Sequence, residues 1–319
     1  MKPVLSLVVP VYFNRETLED LHAHAVDTFA GTLGPGEFEL VFVDDGSLDD
    51  SYEILRRLAK QDPGRVRVLR LSRNFGSHAA ILAGFSRARG RYGAIIGADL
   101  QDSAVVVRDM LAKAREDEAE VVLAVRKGRE EAAGKVAFAN LYYWIMRWFS
   151  QAKFPPGGFD CFLIARPVMD ALLRLNETNT SLPAQILWMG FRQAHVEYVK
   201  KERPAGKSRW TLRKKVNLLL DSIVSFSHLP IRAMELTGLF TAGVGFLYAL
   251  FLVARRLFVG EEIQGWTSLM VVLLVLGGLL LISLGIVGEY LWRILDAARR
   301  RPAFVVSEAL NFDDDEDDD

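Results

Sequence analysis

Residues 38–47 of the sequence read FELVFVDDGS, an apolar run that ends in two aspartates, a glycine and a serine. A continuous apolar run of this length is typical of a strand that is buried on both faces of a parallel sheet. Asp-Asp-Gly-Ser has the composition of a turn. We therefore predict a buried strand over Phe38–Val43 whose carboxyl end opens onto polar side chains.

The same alternation of strand and helix patterns continues over the first 125 residues. It predicts an α/β domain with a parallel sheet and helices on both faces. Ligands of such sheets bind beyond the carboxyl ends of the strands, where the polar clusters at 12–14, 44–47 and 99–102 should meet. The predicted strands are Val4–Val9, Phe38–Val43, Val66–Leu71, Tyr92–Gly97 and Glu120–Val125, and the predicted helices are Arg15–Phe29, Tyr52–Ala59, His78–Ala88 and Val105–Glu118.

The chemistry of these clusters narrows the class of ligand. The sequence has neither GxGxxG nor GxxxxGK[ST], the glycine-rich phosphate loops of dinucleotide enzymes and P-loop kinases. Carboxylates at strand ends instead suit a divalent cation that holds a diphosphate, or the hydroxyl groups of a ribose. A single Asp-Gly pair is most often only a turn, but two acidic strand ends in one sheet favour a binding site. The single cysteine, Cys161, excludes a disulfide framework and a cysteine-rich zinc site.

Two uncharged segments near the C-terminus predict a membrane hairpin. They comprise 19 residues from Leu236 to Ala254 and 22 residues from Thr267 to Gly288, in a chain whose mean hydropathy is +0.15. A helix of 22 residues is about 33 Å long, enough to cross a hydrocarbon core of about 30 Å. Buried core helices are the alternative, but these are usually shorter and seldom apolar all round.

Charge predicts how this hairpin is oriented. Basic residues lie before the first span and after the second, so the positive-inside rule places both termini and the α/β domain in the cytoplasm of an integral inner-membrane protein. The formal net charge is −1, but without the seven acidic residues 313–319 it becomes +6, which favours anionic ligands or an anionic membrane surface. The flanking basic residues are Lys207, Arg209, Arg213, Lys214, Lys215 and Arg232 on one side and Arg293, Arg299, Arg300 and Arg301 on the other.

These patterns divide the chain into four parts. We assign residues 1–210 to the α/β domain and 211–233 to an amphipathic juxtamembrane helix. The hairpin occupies 234–292, with spans of about 234–256 and 267–291, and 293–319 form a cytoplasmic tail with an acidic, disordered end. Two aromatic or basic stretches, Phe138–Phe149 and Trp210–Leu229, have the pattern of helices that lie on the membrane surface, with core packing as the alternative.

The order of the motifs resembles the inverting glycosyltransferases of family 2. More narrowly, it resembles the polyprenyl-phosphate glycosyltransferases related to dolichol-phosphate mannose synthase, including the bacterial undecaprenyl-phosphate type. The resemblance extends from the N-terminus to about Glu308. The motifs that carry it are VVPVY at 8–12, VDDGS at 43–47, LSRNFG at 71–76, ADLQD at 98–102, GFD at 158–160, AGKS at 205–208, SFS at 225–227, GWTS at 265–268 and GIVGEY at 285–290.

The resemblance implies a GT-A fold, which is Rossmann-like, and a UDP- or GDP-sugar as donor. It also implies Mg²⁺ or Mn²⁺ as cofactor and inverting transfer of one sugar to a polyprenyl phosphate at the cytoplasmic face of the membrane. Transfer to another membrane lipid and a catalytically weakened, membrane-docked scaffold are the alternatives. The expected partners are the donor, the polyprenyl phosphate and membrane lipids, without nucleic acid; a homo-oligomer is left open.

The resemblance also implies roles for individual residues. The nucleotide-sugar would contact Pro10, Tyr12, Asn14, Asp44, Asp45, Ala98, Asp99 and Gln101, of which Asp99 and Gln101 would also meet the metal. Asp99 and Asp160 are the catalytic candidates; Asp160 would orient the reacting groups or act as base, and a capping or surface aspartate is the alternative. The phosphates would contact Arg126, Arg129, Arg203 and Lys207.

Two positions depart from the family pattern. Gly97 stands where the usual Asp-Ala-Asp motif has its first acid, so one carboxylate that faces the metal or the donor is absent. Mg²⁺ commonly keeps several waters and uses few protein ligands, so Asp99, Gln101 and the diphosphate could suffice. Asn14 is followed by Arg15 where the family often has Asn-Glu.

Overall fold

The computed structural model describes residues 2–126, 155, 159–175, 181–199, 229–259 and 265–312, with Arg126, Asp160 and nine residues between 229 and 274 described by their backbone only. Several predictions fall on other parts of the chain and lie outside the described residues. These are the roles of Arg129, Arg203 and Lys207, the stretch 138–149, most of the juxtamembrane helix and the acidic end at 313–319.

The described residues form one eight-stranded sheet with the order β7-β5-β6-β4-β1-β2-β3-β8. Strands β1 to β4 run parallel, with β1 in the middle, as the predicted α/β fold requires. The strands are β1 Leu5–Val11, β2 Phe38–Asp44, β3 Val66–Leu71, β4 Tyr92–Ile95, β5 Val121–Arg126, β6 Phe159–Ala165, β7 Gln193–Tyr198 and β8 Val306–Leu310.

The five predicted strands run in one direction, as expected, but the whole sheet is mixed because two further strands run the other way. Strand β6 lies between β4 and β5 and is antiparallel to both, and β8 is antiparallel to β3. Because β6 intervenes, β5 keeps the direction of β4 without touching it, and β7 pairs parallel to β5 on the far edge. Both strands lie beyond residue 125, so the βα rhythm of the first 125 residues could not predict them.

Helices cover both faces of the sheet. Alternating residues of β1 point to opposite faces, so Leu7 and Val9 join the core under α1, α2 and α4 while Val8 joins the core under α3. Both cores consist of buried side chains, nearly all of them aliphatic or aromatic. The helices of the domain are α1 Leu18–Ala30, α2 Ser51–Gln61, α3 Ser77–Ser86, α4 Ala104–Glu116, α5 Arg166–Leu175 and α6 Leu182–Trp188.

Two long helices, α7 Leu229–Val259 and α8 Trp266–Ala298, correspond to the predicted hairpin. Their apolar spans run over Ile231–Leu252 and Leu269–Ala298, with mean hydropathies of 1.5 and 2.9. No residue described between 231 and 300 is buried by protein, so these side chains are not those of a soluble core. By length and composition both helices can cross a membrane.

The segment after the second span returns to the domain. Residues 306–310, which we expected in a cytoplasmic tail, form β8 and pair with β3 at the edge of the sheet. The sequence VSEAL has only a weak strand pattern, and its pairing partner lies more than 230 residues earlier in the chain. The α/β domain is therefore built from both ends of the chain.

Candidate functional site

The loops that follow β1, β2 and β4 lie side by side at the carboxyl edge of the sheet. The backbone N–H of Phe13 donates to Ser47 Oγ at 3.0 Å, and that of Asn14 donates to Ser51 Oγ at 3.0 Å. The buried hydroxyl of Thr17 donates to the carbonyl of Ala98. These bonds confirm that the three polar clusters meet at one place.

The end of β1 and the loop after it contain three of the predicted nucleotide contacts. Pro10 lies near the end of β1 and pairs in register with Val43. Tyr12 donates its backbone N–H to Asn14 Oδ1 at 2.9 Å, so the amide side chain of Asn14 shapes the loop from within. Part of this loop remains accessible, because Tyr12, Phe13 and Asn14 are only partly buried.

Asp45 ties the loop after β2 to the loop after β3. Its two carboxylate oxygens accept the backbone N–H groups of Phe75 at 2.7 Å and Gly76 at 2.9 Å. Burial raises the pKa of Asp45 against the lowering effect of these two hydrogen bonds. The structure thus shows Asp45 as a support for the site, with each of its carboxylate oxygens bonded to the backbone after β3.

Asp44 is different, because one of its oxygens has no donor. Oδ1 accepts the backbone N–H of Ser47 at 3.2 Å, whereas Oδ2 is buried without a hydrogen-bond partner among the described residues. The nearest cation is Arg70, whose Nε lies 3.7 Å from Oδ2, too far for a hydrogen bond. A buried acceptor without a donor is costly and calls for an explanation such as a missing ligand.

Burial raises the pKa of Asp44, with Ser47 and Arg70 opposing the shift. A carboxyl group whose pKa is raised on folding contributes stability below its unfolded pKa, and this contribution is lost as the pH rises through the folded pKa. We therefore expect the Tm of the wild-type protein to rise relative to that of Asp44→Asn when the pH falls from 7 towards 4. Thermal unfolding of both proteins in detergent at several pH values measures this, and a constant difference would contradict it.

The loop after β4 presents two carboxylates to one space. Asp99 Oδ1 accepts the backbone N–H of Gln101 at 3.2 Å. A methyl group built on Gly97 would lie 3.0 Å from Asp99 Oδ1 and 3.8 Å from Asp102 Oδ2. The place of the absent motif acid is thus bordered by the carboxylates of Asp99 and Asp102. The buried Asp102 is oriented by the hydroxyl of Tyr198 on β7, which donates to its Oδ1 at 3.0 Å.

Backbone strain is also concentrated in these loops. Phe13 and Leu100 both have a φ of +58°, in the left-handed region that residues other than glycine seldom adopt. Phe13 lies between two of the predicted contacts, and Leu100 separates Asp99 from Gln101. Strain of this kind tends to occur at binding and catalytic loops, where the surrounding structure holds it in place.

Arg126 and Asp160 lie at the same edge of the sheet. Arg126 ends β5 and pairs in register with Tyr198, the last residue of β7. Asp160, which we expected in a loop, belongs to β6: Phe159 pairs with Val125 and Cys161 with Ala124, so Asp160 is an extra residue at a shift of register. Bulges of this kind redirect a side chain and often occur next to active sites.

Several residues that shape the site escaped the sequence analysis. Asp102 was within a motif that we quoted, but its role depends on the space at Gly97, which only coordinates reveal. No local pattern points to the others, because their partners are distant in sequence. These residues are Thr17, Ser51, Arg70 and Tyr198.

Comparison with known proteins supports the interpretation of the motifs. The family described as glycosyl transferase family 2 matches residues 6–166. The chain is 37% identical over 309 residues to the uncharacterized glycosyltransferase YkcC of Bacillus subtilis, covering 97% of this chain and 94% of the relative. It is 36% identical over 303 residues to the bactoprenol glucosyl transferase of Shigella phage SfV, covering 95% of this chain and 97% of that protein.

Among solved structures, a mannosyltransferase from Pyrobaculum calidifontis in complex with GDP-Man and Mn²⁺ resembles the chain with a TM-score of 0.46 and 18% identity. The match covers 62% of this chain and 56% of that one. The sequence relatives, by contrast, span almost the whole chain, from β1 through both apolar helices to β8. Together with the family match, they establish that the chain is a member of glycosyltransferase family 2.

Proposed function

We propose that this protein transfers one sugar from a nucleotide-sugar to a polyprenyl phosphate at the cytoplasmic face of a membrane, with inversion at the anomeric carbon. The observation that carries the proposal is the similarity over nearly the full length to a bactoprenol glucosyl transferase, which includes the two apolar helices as well as the family 2 domain. The polar loops at the carboxyl edge of the sheet supply a site of the chemistry that such a donor needs.

The loops after β1 and β2 are the proposed nucleoside site. Asp44 Oδ2 is an acceptor without a donor, which suits an N–H of the base or a hydroxyl of the ribose. Because Asp44 is buried, contact with a nucleotide requires a small displacement of the groups above it. Pro10, Tyr12 and Asn14 border the same loop, and Asp45 holds the neighbouring backbone in place.

The loop after β4 is the proposed diphosphate and metal site. Asp99 and Gln101, with Ala98 beside them, would meet the donor diphosphate and a divalent cation. The pair of carboxylates around the space at Gly97 fits such a cation, since Mg²⁺ and Mn²⁺ prefer oxygen ligands and Asp102 partly replaces the absent acid. When bound, the cation neutralises charge on the leaving diphosphate.

The acceptor phosphate needs little activation, because it is already ionised at neutral pH. One of its oxygens forms the bond to the anomeric carbon while the bond from that carbon to the donor diphosphate breaks, and the nucleoside diphosphate leaves with the electron pair. The protein's task is therefore to hold nucleophile and leaving group in line and to neutralise the phosphates. We assign the phosphates to Arg126, Arg129, Arg203 and Lys207, and the orientation of the acceptor to Asp160.

The hairpin would bring this site to the lipid. β8 follows α8 and pairs with β3, so the chain before α7 and the chain after α8 belong to one domain. A membrane cannot divide a folded sheet, so the outer ends of both helices must lie on the same side of it. Together with the basic flanks, this argues for a cytoplasmic domain and cytoplasmic termini.

A transfer assay with the full chain in detergent tests the proposal. Labelled UDP- and GDP-sugars are supplied with undecaprenyl phosphate and Mg²⁺ or Mn²⁺, and label is counted in the organic phase. UDP-glucose comes first, since the phage relative is named a glucosyl transferase. Metal-dependent label from one donor is the expected result. Label entering only diacylglycerol or ceramide would establish the alternative lipid acceptor, and nucleotide binding without any transfer would establish the scaffold.

Asp160→Asn tests whether Asp160 acts on the acceptor phosphate and not on the donor nucleotide. Because the acceptor needs no proton removed, we expect a loss of about tenfold in transfer rather than the 10²–10⁴-fold typical of a lost general base. Affinity for the donor nucleotide should be unchanged. The control is Asp170→Asn on α5, an exposed acid near Arg166 with the same change of charge. Equal rates for the two variants would remove Asp160 from the site.

A further inference from the structure

Three charged residues form a row across the strands β2, β3 and β8. Asp44 pairs in register with Arg70, and Arg70 pairs in register with Glu308. Neighbouring strands lie about 4.8 Å apart, and residues opposite one another project from the same face of the sheet. The row thus runs from the candidate nucleoside site, through an arginine, to the strand that follows the second apolar helix.

Glu308 holds the guanidinium of Arg70 in one position. Arg70 Nη1 donates to Glu308 Oε1 at 3.0 Å, and the hydroxyl of Tyr52 donates to Glu308 Oε2 at 2.9 Å. The guanidinium carbon also lies 4.3 Å from the centre of the Tyr52 ring, in a cation–π contact. Both oxygens of Glu308 and one face of the guanidinium are therefore engaged.

This arrangement keeps Arg70 close to Asp44 without a hydrogen bond between them. At 3.7 Å from Asp44 Oδ2, Nε attracts the carboxylate electrostatically but does not occupy its acceptor. A shift of less than about 1 Å would bring the two groups into hydrogen-bond contact. The hydrogen bonds from Tyr52 and Arg70 lower the pKa of Glu308, so this tether is charged at neutral pH.

We propose that Glu308 is a positioning residue of the nucleotide site. With Tyr52 it holds Arg70 away from Asp44, so that Asp44 Oδ2 remains available to accept a hydrogen bond from the nucleotide. The inference rests on the proposed contact between Asp44 and the nucleotide. It makes the strand after the membrane helices part of the donor site, 264 residues away from Asp44 in the chain. In Glu308→Ala the guanidinium is released and competes with the nucleotide for Oδ2.

The competition makes a specific prediction for a double variant. Glu308→Ala should weaken binding of the donor nucleotide by about tenfold, the scale of one net hydrogen bond, and raise the donor KM with little change in kcat. Adding Arg70→Gln removes the competitor and should bring the affinity back to within about twofold of wild type, on the same scale. Tyr52→Phe, which keeps the ring but loses the hydroxyl, should give a smaller weakening.

Calorimetric titration of the full-length variants with UDP and GDP in Mg²⁺ measures these affinities, with Tm recorded for each. The matched control is Glu53→Ala, an exposed acid on α2 that pairs with Arg56. Weakening in Glu308→Ala that is relieved by Arg70→Gln supports the proposal. Wild-type affinity in Glu308→Ala, or a loss that Arg70→Gln does not relieve, overturns it, and the latter outcome indicates a merely structural attachment of β8.

Asp44→Asn distinguishes the positioning role of Glu308 from the proposed contact between Asp44 and the nucleotide. If Asp44→Asn weakens nucleotide binding while Glu308→Ala does not, Asp44 remains a nucleotide contact and only the positioning role fails. If Asp44→Asn leaves the affinity unchanged, the proposed contact fails and the positioning role fails with it. The transfer assay on the wild-type protein tests the proposed sugar transfer itself, and its outcome does not depend on either variant.

Discussion

Replacing Asp99 by asparagine is expected to reduce sugar transfer by about 100-fold or more, the scale of losing one group that neutralises developing charge. Asparagine keeps an acceptor for the Gln101 N–H, which Asp99 Oδ1 now accepts at 3.2 Å, so the loop should keep its shape. What it loses is the negative charge beside the space at Gly97, where only Asp102 would remain. The loss should therefore appear in the catalysed step and in metal dependence rather than in folding.

Transfer to undecaprenyl phosphate at increasing Mg²⁺ concentration measures the effect. Binding of Mn²⁺ to the protein with nucleoside diphosphate, followed by electron paramagnetic resonance, gives a second readout that does not depend on turnover. Asp109→Asn is the control, because Asp109 is an exposed acid on α4 paired with Arg108 and undergoes the same change of charge. Retention of more than about a tenth of the wild-type rate by Asp99→Asn would argue against the assigned role, since a lost electrostatic group costs 10²–10³-fold.

Gly46→Ala should cause the largest loss of stability among single changes near the site, about 3 kcal/mol. Gly46 has a φ of +69°, which costs an alanine about 1–2 kcal/mol. Its Cβ would also lie 2.6 Å from the carbonyl carbon of Arg73 and 2.8 Å from the backbone nitrogen of Asn74. The two loops that Asp45 ties together must then separate, so nucleotide binding should fall along with the Tm.

Gly36→Ala isolates the conformational part of this effect, so the difference between the two variants gives the steric part. Gly36 has a φ of +78°, but a methyl group there would meet nothing within 4 Å. It should lose only the conformational term, about 1–2 kcal/mol, and keep wild-type nucleotide affinity. Thermal unfolding in detergent and nucleotide titration compare the two variants. Equal losses in both would show that the contact with the Arg73–Asn74 backbone is unimportant.

The first five strands were predictable because each is a short apolar run closed by polar or turn-forming residues. The observed elements differ from the predicted ones mainly at their ends: β1 extends to Val11, and β4 stops at Ile95 instead of Gly97. Early termination of β4 frees Gly97 and Ala98 for the loop that carries Asp99. The apolar spans were predictable for the same kind of reason, since length and absence of charge are properties of a contiguous segment.

Strands β6 and β8 were not predictable in this way. Phe159 and Asp160, the first residues of β6, end a Gly-Gly-Phe-Asp stretch that is typical of a loop, and pairing with β5 overrode that local pattern. The sequence VSEAL at 306–310 is compatible with a tail or with a strand. It forms a strand because β3 lies at the edge of the parallel strands and pairs with it. The hydrogen-bond partners of a strand lie on another part of the chain, so the local sequence predicts a strand less well than it predicts a helix.

The sequence by itself determined the α/β class, the polar ends of β1, β2 and β4, the two apolar spans and the family. All of these depend on residues that are neighbours in the chain. Tertiary structure alone decided that Asp45 supports a loop while Asp44 keeps a buried acceptor open, and that Asp102 borders the space at Gly97. It also placed Glu308 in one row with Arg70 and Asp44, because strand register joins residues that no local pattern connects.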